Sequence, residues 1–169
     1  MDTEQDFEDF AKRYPELMAK SQQDYIGVGK GWFGILNVLF GLLSRDVAQA
    51  KYQLKYALEH PESKYVKPIA ELEAALATSL DQLPVIQQIK EKFGSLRFYV
   101  DGGTDAHHAY ISFAESMSYN TCEVCGSPGE ARNDGWTKVL CEHHHRERQQ
   151  QLAEAGRIQK VSKPKLSDE

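Results

Sequence analysis

The chain of 169 residues has few cysteines and no excess of positive charge. Its three cysteines are an odd number and lie in one short window, which argues against a secreted disulfide framework and favours reduced thiols. A formal net charge of -5 argues against a bulk polyanion binder. The acidic start, MDTEQDFEDF, lacks the pattern of a secretory signal, so we expect a cytoplasmic protein.

One apolar stretch, WFGILNVLFGLL at residues 32–43, is too short to be a membrane span, which needs about 20 apolar residues. We therefore expect no membrane-spanning segment and predict a buried core helix here. The alternative is an exposed patch that docks a partner, with Trp32, Phe33 and Leu39 in its binding surface.

Apolar residues spaced by three or four predict helices over 1–20, 46–59, 65–80 and 105–119, the last capped by Thr104. GVGKG at 27–31 contains G-x-G without the context of a phosphate loop, and we interpret it as a turn. Residues 85–100 predict a β-hairpin that turns at Gly94-Ser95. A helix over 85–93, ended by Gly94, is the competing interpretation.

The cysteines belong to a C-x2-C and C-x2-H pattern, whose four members are Cys122, Cys125, Cys141 and His144. Two pairs of thiolate and imidazole ligands at this spacing are typical of a tetrahedral zinc site. A turn signal at 133–135, a strand over 136–140 and a helix after Cys141 predict a treble-clef-like module. Four ligands fill the coordination sphere, so we expect one structural zinc ion. His143 and His145 are alternative fourth ligands.

Lys90, Lys92 and Arg97 form a basic patch beside aromatic residues, a combination that can bind single-stranded nucleic acid by charge and stacking. Trp136 is also assigned to the possible binding surface, together with these three basic residues. A further alternative is a metal-dependent hydrolase or nuclease that uses histidines 107, 108, 143 and 145. HNH nucleases carry a catalytic histidine between the two ligand pairs, and residues 126–140 contain none, which argues against that class.

Two segments, IKEKFGSLRFYVDGGTDAHHAYISFAESMSYNTCEVCG and GWTKVLCEHH, resemble a family of uncharacterised small proteins of tailed bacteriophages, prophages and bacteria. The shared features are KEKFG-x-LRFY, a GGTD-like turn, and C-x2-C-G followed by L-C-x2-H. The resemblance covers residues 86–145 well and the first third poorly. It implies a zinc module fused to an α+β core in a mobile genetic element. The resemblance does not indicate an activity.

Taken together, the sequence predicts an α+β protein with a mainly helical core over 1–119 and a hairpin near 85–100. A treble-clef-like zinc finger follows over 120–156, and a flexible tail over 157–169. The expected function is that of a non-enzymatic, zinc-containing binding protein. The resemblance favours a phage-encoded modulator or inhibitor of a host or defence protein in the host cytoplasm. Nucleic-acid binding is the first alternative, and a homo-oligomer stays possible.

Overall fold

The computed structural model describes the backbone of residues 3–161 and the side chains of residues 6–156. This part of the chain is an α+β protein, as the sequence predicts. The helices are α1 (Thr3–Arg13), α2 (Pro15–Met18), α3 (Phe33–Leu43), α4 (Arg45–Glu59), α5 (Ile69–Asp81), α6 (Asp105–Ser118) and α7 (Glu142–Val161). The strands are β1 (Val85–Lys92), β2 (Ser95–Asp101), β3 (Glu130–Arg132) and β4 (Lys138–Leu140).

Strands β1 and β2 form an antiparallel hairpin, so the helical interpretation of 85–93 is wrong. Lys92 pairs with Ser95, which places the turn at Phe93-Gly94 rather than at the predicted Gly94-Ser95. Both turn residues have positive φ angles, 53° and 76°, as a type I′ turn requires. A type I′ turn matches the right-handed twist of the strands. It was not predicted from the sequence, because phenylalanine rarely adopts a left-handed backbone conformation.

Both edges of this hairpin are covered. Beside β1, the chain over 22–27 donates backbone hydrogen bonds from Gln22 to Ile86 (2.8 Å) and from Gly27 to Ile89 (3.1 Å). Beside β2, the backbone N–H groups donate to side chains of α6 instead. Because unpaired strand edges can pair with other chains, these contacts protect both edges of the two-stranded sheet.

Helix α3 lies at the centre of the core. Its apolar residues bury against the hairpin, and Phe40 makes edge-to-face contacts with Phe10 (4.9 Å between centroids) and Phe98 (5.7 Å). The prediction of a buried core helix is therefore correct. Trp32 is 0% exposed, so its assignment to a binding surface is wrong, whereas Leu39, 1% exposed, packs in the core and also lines a groove between α3 and α6. Each buried large side chain contributes roughly 2 kcal/mol of hydrophobic stabilisation.

The other helices follow their predictions with shifted ends. The predicted helix over 1–20 is divided at Tyr14, because Pro15 cannot continue the hydrogen-bond ladder of α1. Helix α5 starts at Ile69, after Pro68, rather than at residue 65. Thr104 caps α6 as predicted, and the His107 side chain accepts from the Thr104 backbone N–H in return.

Helix α7 runs through 157–161, which the sequence assigned to the tail, and the rest of that tail lies outside the described residues. Within the described part of the chain, none of the helices combines the length and the apolar character that crossing a bilayer demands.

Candidate metal centre

Three elements bring the cysteine window together. Cys122 and Cys125 lie in a tight loop after α6, where Gly126 N donates to Cys122 O (2.9 Å) and Gly126 takes a φ of 79°. Strands β3 and β4 then pair as a short hairpin, as the turn signal predicts. Cys141 directly precedes α7, and His144 lies in the first turn of that helix. The loop, hairpin and helix therefore deliver four side chains to one point.

The four side chains have the spacing of a tetrahedral metal site. One donor atom from each of Cys122, Cys125, Cys141 and His144 lies within 4.8 Å of all the others. The Cys125 and Cys141 sulfurs are 3.9 Å apart, and Cys122 Sγ is 3.6 Å from His144 Nδ1. A tetrahedron with Zn–S bonds of about 2.3 Å has S–S edges of about 3.8 Å. All three cysteines are free, so this group could hold a metal ion.

Polar groups around the sulfurs favour the ligating, deprotonated form. Hydrogen bonds from the hydroxyl and the backbone N–H of Ser127 lower the pKa of Cys125 to about 6. The backbone N–H of His144 lowers the pKa of the Cys141 thiol. Burial raises the pKa of Cys122, against the opposing effect of three backbone hydrogen bonds. The N-terminus of α7 adds its positive dipole end to the same point.

His144 is the histidine that joins the cysteine cluster. Its Nδ1 lies 3.2 Å from Cys141 Sγ, and this hydrogen bond raises the pKa of the imidazole. The neighbouring rings point elsewhere: His143 Nε2 lies 3.3 Å from Glu147, and His145 Nε2 lies 3.2 Å from Asp134. The sequence left all three histidines as candidates for the fourth ligand. The directions of their rings favour His144, which faces the cysteines.

Glu147 lies behind the candidate ligand. One of its carboxylate oxygens is 3.8 Å from His144 Nε2, on the opposite side of the ring from the cysteines. Ligating histidines usually donate their second ring N–H to a carboxylate, which fixes the tautomer and the ring orientation. Glu147, His143 and His144 also form a second group of potential metal ligands, but it shares His144 with the first.

The glycine-rich segment at 27–31 docks the cysteine loop onto the core, a role that the sequence did not reveal. Gly31 N donates to Glu123 O (3.0 Å), and Trp32 Nε1 donates to Thr121 O (2.7 Å). A Cβ atom on Gly31 would lie 2.7 Å from Cys125 N. The Gly-Trp pair was visible in the sequence, but its partners are about ninety residues away along the chain.

The predicted basic residues share one face of the β1–β2 hairpin, and the aromatic Trp136 lies at its tip. Lys90 and Arg97 are paired across the β1–β2 hairpin, and Lys92 follows on the same face of β1. Trp136, in the loop before β4, stacks on Phe93 at the hairpin tip, with 6.4 Å between ring centroids. Phe33, the remaining predicted surface residue, packs partly buried against the core.

The histidines of the hydrolase alternative are not brought together as a metal site. His107 is buried in the cap of α6, where burial lowers its pKa. Within residues 6–156, neither His107 nor His108 belongs to a group that could hold a metal ion. His143 belongs to such a group with His144 and Glu147, so the four histidines of this alternative do not form one site.

Comparisons of this chain with protein-family models, with curated proteins and with solved structures find no significant match. The resemblance to small phage and bacterial proteins therefore stays a prediction from the sequence motifs.

Proposed function

We propose that this chain is a non-enzymatic binding protein in which one structural zinc ion holds a treble-clef-like module against the helical core, and that its partner is another protein. The observation that carries the proposal is an apolar groove beside the metal centre whose lining has no acidic or basic residue. The metal site supplies rigidity, and the groove supplies the contact surface.

Zinc is the metal that this set of ligands favours. Three thiolates and one imidazole in a tetrahedral arrangement are a common zinc set, whereas carboxylate-rich sites favour calcium or magnesium. The order of cysteine loop, hairpin and helix, with the last two ligands at the start of that helix, supports the treble-clef description.

A structural role fits the site better than a catalytic one. Catalytic zinc sites keep three protein ligands and leave one position open for water or substrate. Here four protein donors lie within bonding reach of one point, and Cys122 is 0% exposed. A closed site of this kind stabilises folding rather than activating water.

The groove lies between α3 and α6 and reaches the cysteine loop at Cys125 and Gly126. It has a volume of about 480 Å³ and no aspartate, glutamate, lysine or arginine in its lining. Val38, Phe113 and Met117 expose 61%, 64% and 45% of their surface there. A lining without lysine or arginine offers no cation to a phosphate backbone, whereas contiguous exposed apolar side chains mark contacts with other proteins.

The partner class follows from the sequence resemblance. Because the motifs resemble those of small phage and prophage proteins, we propose a host or defence protein as the occupant of the groove. The protein would then act by binding and not by turnover. A second copy of this chain in the groove is the main competing occupant.

A matched pair of variants tests this proposal. The full chain is expressed in a bacterial host as wild type, Phe113→Glu and Leu58→Glu, since Leu58 on α4 is equally exposed at 62% but lies outside the groove. Native mass spectrometry then reports metal count, oligomer and bound partner for each. We expect one zinc ion in all three, and a stoichiometric host protein on the wild type and Leu58→Glu only.

Three outcomes would contradict the proposal. A protein without zinc would remove the structural site. A host protein that stays bound to Phe113→Glu would place the interface elsewhere. A homodimer that Phe113→Glu dissociates would show that the groove is filled by a second copy of the chain.

A further inference from the structure

We propose that the outward face of the β1–β2 hairpin binds single-stranded nucleic acid, with Lys90, Lys92 and Arg97 contacting phosphates and Phe93, Tyr99 and Trp136 stacking on bases. We call these six residues the cation–aromatic face. It shares no residue with the apolar groove, so this function stands or falls separately from the protein-binding proposal.

Strand register places the basic residues together. Lys90 lies opposite Arg97, and Lys92 is two positions further along β1, so all three side chains point to the same side of the hairpin. Ile89 and Phe98 point to the other side, where they are 1% and 3% exposed in the core. The fold thus fixes one apolar face and leaves a basic face in solvent.

Each cation lies over an aromatic ring. The distances from cation to ring centroid are 5.2 Å for Lys90 over Tyr99, 5.5 Å for Lys92 over Phe93, and 6.0 Å for Arg97 over Tyr119. Cation–π contacts hold long side chains in place while their charges remain available to solvent. Alternating cations and ring faces are what a single strand requires, because its phosphates and bases alternate in the same way.

The hairpin tip is costly for folding. Phe93 has a φ of 53°, which a phenylalanine side chain disfavours, and 67% of its surface is exposed. Asn-Gly would suit the same type I′ turn better than Phe-Gly. The ring stacks beside Trp136, which is 60% exposed, and Glu91 accepts a hydrogen bond from the Trp136 indole (3.1 Å). Two exposed rings, one of them held in place by a hydrogen bond, indicate a binding role.

Charge on this face favours a polyanion despite the acidic chain. Within residues 6–156, no carboxylate lies within ion-pair distance of Lys90 or Lys92. Glu91 accepts from the Gly94 backbone and the Trp136 indole, and Glu115 accepts from Phe98 N while facing Arg97 at 3.9 Å. The nearby acids are therefore engaged, and two lysines are left for phosphate.

Exposed ring faces select single strands over duplexes. In a duplex the faces of the bases are already stacked on one another, so Phe93 and Trp136 would have no partner surface. The observations thus favour single-stranded DNA or RNA over double-stranded nucleic acid. They also favour it over a protein, whose surface does not present a repeating array of anions.

Trp136 provides a direct readout, because Trp32 is fully buried and these are the two tryptophans of the chain. The full chain, purified with its metal, is titrated with single-stranded oligothymidylate while tryptophan fluorescence and the anisotropy of a labelled oligonucleotide are followed. We expect quenching, and an affinity that falls with salt at a log–log slope of about −2, from roughly 0.7 per phosphate contact for three cations.

Matched variants separate the two kinds of contact. Lys90→Glu with Lys92→Glu should abolish binding, whereas Lys64→Glu, which changes a lysine over Tyr65 (5.4 Å) outside this face, should not. Phe93→Asn should lower the affinity about tenfold while leaving the melting temperature unchanged or raised, because asparagine suits the turn.

Several results would overturn the proposal. An absence of quenching and of anisotropy change at low salt would do so. Equal affinity for heparin or for duplex DNA would show general polyanion attraction without base stacking. An affinity that Phe93→Asn leaves unchanged, or that Lys64→Glu lowers as much as the double variant, would place binding elsewhere. A protein held by this face in place of the oligonucleotide would also refute it.

Discussion

Replacing Gly31 by alanine tests how the metal centre is attached to the core. The Cβ atom of alanine would lie 2.6 Å from Gly126 N and 2.7 Å from Cys125 N, and closer still to the Cys122 carbonyl oxygen. All three are backbone atoms of the cysteine loop, so no flexible side chain can move aside. The loop must therefore shift away from the segment that carries Trp32.

The cost of this shift has two parts. Overpacking of a single carbon in a tight site costs about 1–3 kcal/mol. The shift also strains two hydrogen bonds, from Gly31 N to Glu123 O and from Trp32 Nε1 to Thr121 O, each worth about 1 kcal/mol. We therefore expect Gly31→Ala to lower the free energy of unfolding by about 2–5 kcal/mol.

Gly34→Ala is the matched control, three residues further along the same segment. Its Cβ atom would meet nothing within 4 Å, and it lies inside α3, where alanine is favoured over glycine by about 1 kcal/mol. Urea unfolding gives the two stabilities, and zinc release to a chromophoric chelator gives the two metal off-rates. If Gly31→Ala were as stable as Gly34→Ala and held its zinc as long, the docking role of Gly31 would be refuted.

Three further predictions concern the metal centre and a buried histidine. Cys125→Ser should lose zinc and the hydrogen-exchange protection of α7, since structural zinc contributes roughly 10–16 kcal/mol in small fingers; retained protection would contradict this. Glu147→Gln should weaken zinc binding about 10–100-fold in chelator competition, whereas Glu154→Gln should not. Burial lowers the pKa of His107, so folding favours its neutral form. Its contribution to the free energy of unfolding is therefore complete above about pH 6.5 and is lost as the pH falls below that value. His107→Gln, which keeps a capping side chain, should lose less stability than wild type between pH 7 and 5 in urea unfolding; an unchanged loss would contradict this.

The candidate ligands were predictable because their signal is local. Two short ligand pairs, a turn signal and a helical segment lie within about thirty residues, so spacing alone assigns Cys122, Cys125 and Cys141. The direction of each histidine ring was not predictable. It depends on two acidic residues that do not belong to the ligand pattern. Asp134 lies beside His145, and Glu147 lies beside His143 and behind His144.

The glycine-rich segment shows why other features were not predictable. From the sequence alone, Gly27 and Gly31 resemble turn residues, because they belong to a cluster of three glycines within five residues. In the fold, Gly27 pairs with β1 and Gly31 packs on the cysteine loop, so each glycine is required by backbone that is distant in sequence. Periodicity reports which face of an element is buried, but it does not report which distant backbone approaches it.

The same segment connects the metal to both proposed surfaces. Cys125 and Gly126 border the apolar groove, and the hairpin that follows them carries Trp136 to the tip of the β1–β2 hairpin. Trp136 lies shortly before β4. This strand is held along its length by pairing with β3, and Cys141 directly follows it. A metal bound at Cys141 therefore holds Trp136 beside Phe93. We therefore propose that a metal at this site serves to keep the two proposed binding surfaces rigid, rather than to supply reactivity.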